Sequence, residues 1–387
     1  MGLPLSYSVR SLAVRWRATL LAMIGIGLVV AVFVAVLSMA AGFRHALGSS
    51  GTAGNAIVLE KGALSEVGSS FSTAAGEQVA DDLRVARGAD GAPLASPELV
   101  AVVALPRSRD AELTNVGIRG VTARAFSLRP GVRMVAGRQP RAGLFEVAVG
   151  IQAQSRIRGL RIGSRVSLMR HEFEVVGVFA AAGSAFESEI WGDLAAMAPA
   201  FNRAGAENSL TVRLTDPGLR PAFDRDLQAN RQYPLTMTDE RRYYEDQAGP
   251  LIDLLRGLAA FVGTVMGIGA VFAAMNTMYA LVANRTREVG TLRALGFPRF
   301  AILMVFVLEG LLLALAGGAL GCLLALMMNR VSASSTAAMG EISFAFRVTP
   351  ADLGRGLMFA AAMGVMGSLL PASRAARLPI VEALRQV

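Results

Sequence analysis

From Ala18 to Gly42 the chain runs through 25 residues without one charged side chain. About 20 apolar residues are what an α-helix needs to cross the hydrocarbon core of a bilayer. Inside that core the backbone amides must be satisfied by the segment itself, which restricts a single run to a helix. Three further runs follow, from about Gly257 to Val282, from Ala301 to Met328 and, shorter, from about Gly356 to Leu370. The spacing predicts an α-helical membrane protein with four transmembrane helices over 18–42, 257–282, 301–328 and 356–370. Arg10, Arg15 and Arg17 precede the first run, and Ser38-Met39-Ala40 offers small residues for a leader peptidase. The apolar stretch nevertheless exceeds the roughly 7 to 15 residues of a secretory h-region, so it reads as an uncleaved anchor.

Composition narrows the class. The chain carries 38 Lys plus Arg against 29 Asp plus Glu, a net charge of +9, while 53% of its residues are hydrophobic. A nucleic-acid binder keeps a basic excess on a polar surface, and this chain is too apolar for that. A membrane protein concentrates the excess in its cytoplasmic loops. Arg10, Arg15 and Arg17 have no acidic neighbour, Arg285, Arg287, Arg293 and Arg299 face only Glu288, and Arg374, Arg377 and Arg385 face only Glu382. Between the third and fourth runs, Arg330 and Arg347 balance Glu341 and Asp352. Both termini and the 283–300 loop are therefore expected in the cytoplasm, and 43–248 outside.

That outer segment holds 24 basic and 23 acidic residues and is long enough to bury a core. It reads as a mixed α/β domain inserted between helices 1 and 2. RVSLMRHEFEVVGVF, from Arg165, alternates like two half-buried strands around a turn near Arg170-His171. Leu210–Leu214 reads as another strand, stopped by Asp216-Pro217-Gly218. Gly76–Arg87 has helical spacing. Thr238–Gln247 has two readings: a helix that continues the second span, or a solvated loop with interfacial Tyr243 and Tyr244.

Candidate functional residues are few. In NRTREVGTLRALGFPRF, from Asn284, apolar residues recur at helical spacing and Gly296 with Pro298 ends the helix. This is a positive anchor or a docking surface for a cytoplasmic partner. Glu309 lies inside the third run, at a cost of about 2.5–3.5 kcal/mol on insertion scales. It must face a helix interface or pair with the loop arginines. Gly263 with Gly267 and Gly317 with Gly321 form small-xxx-small pairs for helix contact. Glu187 and Glu189 beside Trp191 read as a solvated loop entering a strand, and His45 and His171 as surface residues. One cysteine, Cys322, forbids an intramolecular disulfide, and with two histidines leaves no zinc set. The single lysine, Lys61, is not in a G-x-x-x-x-G-K-[ST] setting, so there is no P-loop. No catalytic triad or metal set is recognisable.

The C-terminal 130 or so residues resemble the FtsX-like permease domain of ABC transporters. The likeness is carried by MNTMYALVANRTREVGTLRALGFPRFAI from Met275, EGLLLALAGGALG from Glu309 and LPASRAARLPIVEALRQV from Leu370. Glu146–Val178 and the opening RWRATLLAMIGIG from Arg15 resemble the MacB-type permeases and their periplasmic core domain. The resemblance implies a cytoplasmic segment 1–17, a first helix 18–42, a periplasmic core domain 43–248 and a permease domain 249–387 ending in the tail 371–387. It implies that Arg287, Glu288, Gly290, Thr291, Leu292, Arg293, Ala294, Leu295 and Gly296 form a coupling helix on a cytosolic ABC ATPase. ATP and Mg would then sit on that separate subunit, and this chain would be no enzyme and hold no cofactor. Further implied partners are a second permease copy or paralogue, a periplasmic adaptor and the lipid of the inner membrane, with no nucleic acid. The implied activity is mechanotransmission: ATP-driven movement of the outer domain that exports or extracts a substrate. Alternatives are an FtsX-like regulator of a cell-wall hydrolase and a lipoprotein-releasing permease.

Overall fold

The computed structural model describes residues 16–329, 331–337 and 340–379. The arginines at 10, 15, 330 and 385, and Glu382, lie outside the described residues. In chain order the elements are α1 (Trp16–Gly48), β1 (Asn55–Glu60), β2 (Phe71–Ser72), α2 (Thr73–Ala80), β3 (Ala95–Pro106), β4 (Leu113–Val121), α3 (Arg124–Leu128) and β5 (Arg133–Gly137). There follow β6 (Glu146–Gly150), α4 (Ile151–Arg156), β7 (Arg165–Leu168), β8 (His171–Ala180), β9 (Ile190–Asp193), α5 (Leu194–Ala200), β10 (Ala206–Glu207), β11 (Ser209–Arg213), α6 (Arg220–Ala229) and β12 (Leu235–Asp239). The last are α7 (Glu240–Ala283), α8 (Thr286–Ala294), α9 (Arg299–Met327), β13 (Ser332–Ala337), β14 (Gly340–Ala345) and α10 (Pro350–Arg377). Two compact units divide the described residues, one within 16–42, 251–331 and 346–379, the other within 43–250 and 332–345.

In the helical unit, α1, α7, α9 and α10 are the four helices among the described residues that are long and apolar enough to cross a membrane. Local chemistry fixes their ends. Thr349 and Asp352 exchange side-chain and backbone hydrogen bonds in a capping box at the start of α10, with Pro350 in its first turn. Pro298, with φ near its fixed value, stands at the N-cap of α9. The core joins Ile26, Val30 and Val34 of α1 to Leu313 and Ala314 of α9 and Ala360 and Met363 of α10. Lipid tails are as apolar as leucine, so association here depends on close fit. Gly317 and Gly321 provide it: a Cβ on Gly321 would lie 2.3 Å from the Gly27 oxygen of α1, and one on Gly317 2.8 Å from the Met23 oxygen. Gly263 and Gly267 of α7 instead leave room for the rings of Phe33 and Phe359.

The second unit is built on a ten-stranded sheet in the order β12-β1-β11-β3-β4-β9-β6-β8-β5, with β7 paired to β8. Strand β3 carries both halves. Ala95–Glu98 pairs with β11, and Leu99–Pro106 pairs with β4. Each half has its own core, one around Phe223, Leu210, Val212 and Met237, the other around Ile118, Val149, Phe173 and Ile190. The alternation read at Arg165 is the β7–β8 hairpin, in which Val166 and Phe173 are buried partners.

Three local readings change. The helix expected over 76–87 is α2, which Ser72 caps and which ends at Ala80. Beyond it Arg84 forks onto both carboxylate oxygens of Asp82 and Val85 pairs with Leu214, so tertiary contacts override the helical spacing. Of Thr238–Gln247, the part from Glu240 takes its helical reading as the start of α7, while Thr238 and Asp239 end β12, and Tyr243 and Tyr244 are buried in the sheet unit. The segment between the third and fourth apolar helices forms the hairpin β13–β14 and belongs to the sheet unit.

The crossing at Gly321 yields a paired expectation. G321V, whose side chain would enter the α1 backbone, should cost about 1–3 kcal/mol. G257A, with nothing within 4 Å of its added Cβ, should be neutral or gain up to about 1 kcal/mol. Thermal unfolding of the two purified proteins in detergent reads the contrast.

Candidate functional site

Helix α8 is short, and its ends are set by sequence. Gly296, at φ +92°, donates to the Arg293 carbonyl at 3.1 Å, and the Phe297 amide donates to the Leu292 carbonyl at 3.2 Å. This double closure requires a left-handed residue that glycine supplies without strain. On its inner side, buried Val289 and half-buried Leu292 join Met278 and Val282 of α7, Ile302 and Phe306 of α9, and Ala372, Ala375 and Ala376 of α10.

Two arginines add polar ties. Arg285 donates from Nη1 to Glu309 Oε2 at 2.9 Å and from Nε to Glu288 Oε2 at 2.9 Å. Its guanidinium carbon lies 5.4 Å from the centre of the Phe306 ring. Glu309 is thus both buried at a helix interface and paired with a loop arginine. Arg293 donates to the Ala376 carbonyl at 2.7 Å, an oxygen in the last turn of α10 that has no intrahelical partner.

Of the residues singled out from the sequence, Gly290 is buried and Leu292 and Arg293 are half-buried, while Arg287, Glu288, Thr291, Ala294, Leu295 and Gly296 are exposed. Leu295 is 72% exposed. Arg285, absent from that set, holds the intramembrane acid.

A second constellation lies in the sheet unit where the two half-sheets meet on β3. Arg119 of β4 and Arg129, just after α3, are sealed among Glu66, Glu98, Glu189 and Glu240. Arg119 reaches Glu66 through Nη1 and Nη2 at 2.8 and 3.1 Å, Glu98 at 2.7 Å, and Glu189 through Nε at 2.8 Å and Nη2 at 3.1 Å. Arg129 reaches Glu98 at 2.6 Å, Glu240 at 2.7 Å and the Thr211 hydroxyl at 2.9 Å. Neutral donors complete the carboxylates. Ser209 and Tyr244 donate to Glu66, the Trp191 indole to Glu189, and the Thr52 amide and Asn55 to Glu240. Burial alone would raise the Glu66 carboxyl, but the charge and hydrogen bonds of Arg119 outweigh it and hold it below its ordinary value.

Glu240 is the first residue of α7 and Tyr244 lies one turn on, so the network fastens the start of that helix to β3 and β4. Glu189 was expected in a solvated loop. It is buried because it bonds Arg119, and Glu187 is buried because its carboxylate accepts the Ala181 and Gly183 amides. The six charged residues are scattered over 66–240, and no spacing announces them. Arg119 alone left a trace, as a charge inside the apolar strand LTNVGIRGV.

Glu207 of β10 stands apart: its Oε2 is buried and has no hydrogen-bond partner among the described residues. Burial, reinforced by the charge of Glu77, outweighs the Thr73 hydrogen bond and pushes the carboxyl up to about 7. His171 is exposed and stacks on Phe145 at 5.2 Å, and His45 is also exposed. Among the described residues no group of three or more His, Cys, Asp or Glu could hold a metal ion.

Comparison with known proteins agrees along most of the chain. The model of the MacB-like periplasmic core domain matches residues 19–230, and that of the FtsX-like permease C-terminal region matches 260–380. The macrolide export ATP-binding/permease protein MacB of Nitrobacter winogradskyi is 40% identical over 131 residues, 34% of this chain and 19% of that protein. The pyoverdine export ATP-binding/permease protein PvdT of Pseudomonas entomophila is 27% identical over 262 residues, 63% of this chain and 38% of that protein. The chain therefore spans less than half the length of these relatives. The solved periplasmic region of MacB from Actinobacillus actinomycetemcomitans superposes with a TM-score of 0.38 at 10% identity, over 51% of this chain and 94% of that one.

Two measurements probe the sheet unit. R129M strands Glu240 and half of Glu98 without a cation and should cost about 3–5 kcal/mol, seen as a lower thermal midpoint. Glu207 gives a pH signature. The unfolded chain releases its proton near 4.5 and the folded one near 7, so the folded state binds more protons between these values. Its contribution is intact below pH 4.5 and is lost as pH rises through 7. E207Q should gain thermal stability over the parent progressively from pH 5 to 8, with no gain at pH 4.

Proposed function

Because the chain belongs to the family of the MacB-like periplasmic core domain, we propose that it is the membrane-spanning subunit of an ABC transporter complex, driven by an ATPase on the cytosolic side. The observation that carries this reading is α8, a helix with one face bonded to three spans and the other exposed. The FtsX-like permease match over 260–380 includes it. Val289 and Leu292 meet α7, Arg285 holds Glu309 of α9, and Arg293 holds the end of α10. A displacement imposed on the exposed face of Arg287, Thr291, Ala294 and Leu295 is therefore shared by all three.

Positive charge in the 283–300 loop supports a cytosolic position for α8 and an external one for the sheet unit. ATP and Mg would act on the partner ATPase, and a second permease copy or paralogue would complete the membrane part. Helix α7 runs unbroken from Val282, beside α8, to Glu240 in the buried network. The work done is mechanical, moving the outer domain to export or extract a substrate with a periplasmic adaptor. The export functions in the relatives' names favour this over a regulatory role.

The test separates docking from folding. Leu295 is exposed, so L295D leaves the apolar seam intact, whereas Leu292 belongs to it. Tagged parent chain should co-purify a cytosolic ABC ATPase from its native membrane, and L295D should lose at least roughly 90% of it, about 1.4 kcal/mol or more, at an unchanged thermal midpoint. Undiminished association of L295D would remove α8 as the docking surface.

A further inference from the structure

The sheet unit contains a cavity of about 410 Å³ that the coupling function does not use, between the β3–β4 turn, α4 and the hairpin β13–β14. Its size falls in the range of small-molecule sites, which run from roughly 300 to 1,000 Å³. Val116, Ala153 and Ile157 give it an apolar floor, while Arg107, Arg109 and Arg156 make it basic.

The chain itself shows what these arginines accept. Glu341 of β14 sets its carboxylate against Arg107 at 2.8 Å and Arg156 at 3.5 Å, and takes a hydrogen bond from the Thr114 hydroxyl. Arg156 also bonds the Ser343 hydroxyl. The hairpin is seated firmly, since Ile342 and Phe344 are buried, Phe344 meets Phe43 edge-on at 5.4 Å, and the Ser343 amide donates to Ser188 at 2.9 Å. The wall that Glu341 belongs to is therefore fixed.

That carboxylate leaves donors over. Each guanidinium has five N–H groups, yet Arg107 uses Nη2 alone and Arg156 uses Nη1 alone among the described residues. With Asp110 and Glu341 counted, the three arginines leave the cavity at +1. We propose that this cavity binds an oxyanion, a carboxylate or phosphate borne by a small molecule or a headgroup, on the unused guanidinium edges of Arg107, Arg109 and Arg156. Guanidinium forks match such oxyanions bidentately. Glu341 serves as an internal counter-ion that holds the arginines in place and weakens the site to reversible occupancy.

The probes are inorganic phosphate and acetate, titrated calorimetrically into the full chain in neutral detergent at constant ionic strength. Saturable binding of at least one is expected. E341Q, which removes a like charge at close range, should tighten it roughly fivefold. The R107A/R156A pair should abolish it, and R109A, on an exposed turn, supplies a milder loss where the pair fails to fold. Unaltered thermal midpoints in probe-free buffer mark variants that fold. Nanodiscs of phosphatidylcholine with or without phosphatidylglycerol distinguish the sources. Phosphate binding lost only with phosphatidylglycerol identifies a lipid headgroup, and equal binding in both identifies a soluble ligand. Absence of binding in both parent and E341Q, or affinity indifferent to R109A and the arginine pair, would overturn the proposal.

Discussion

Two guanidinium groups and four carboxylates are shut away from water at the junction of the two half-sheets, and the geometry of the sheet unit depends on their being satisfied together. An isolated buried charge costs several kcal/mol even after relaxation. The six groups do not balance, since the carboxylates exceed the guanidinium groups by two. Hydroxyls of Ser209 and Tyr244, the Trp191 indole and the Asn55 amide supply the remaining hydrogen bonds. Removing any one contributor exposes the others to the full desolvation penalty, so β3, β4, β9, β11, the loop at Glu66 and the first turn of α7 must assemble as one. Such networks are weak sources of net stability, because an apolar replacement of equal shape can do as well. What this one does is hold Glu240, at the start of α7, through Arg129, Asn55 and the Thr52 amide.

The helical unit solves a related problem with fewer charges. Without a hydrophobic drive between lipid-facing helices, contact comes from small residues and from polar ties. Gly317 and Gly321 bring α9 onto the α1 backbone, while Arg285–Glu309 and Arg293–Ala376 bind α8 to α9 and α10. Glu309 is tolerable in an apolar span because Arg285 lies beside it, half shielded by Phe306. The α8 contacts are thus polar where they fix direction and apolar where they fill space.

Much of this was legible in the sequence because its signals are local. Apolar runs gave the four long helices, Gly296-Phe297-Pro298 gave the end of α8 and the start of α9, and alternation at Val166, Leu168, Phe173 and Val175 gave the β7–β8 hairpin. The network was not legible. Glu66, Glu98, Arg119, Arg129, Glu189 and Glu240 come together only through strand pairings that link distant segments, and each resembles an ordinary surface charge. The same limit hid the inward turn of Leu292 against the outward turn of Leu295. Helical spacing places both on α8, but which faces a neighbour depends on where Met278, Ile302 and Ala376 lie. Residues 332–345 look like a loop between spans because the partners of β14, Thr114, Arg156 and Ser188, are some 150 residues or more away.

Burial also alters what the charge pattern means. Residues 43–248 sum to +1 in the sequence and pass for neutral. The six network groups account for −2 of that sum and are hidden from solvent, so the remaining groups of the segment sum to +3. Charges near the surface act most directly on what approaches it, while the network's excess of two negative charges is met by neutral donors inside the fold. The groups of residues 43–248 outside the network are therefore more basic than the balanced composition of the segment shows. Arg107, Arg109 and Arg156 are among them. Their convergence on a cavity with two acids is a local instance of an excess that the fold creates by choosing which charges to bury.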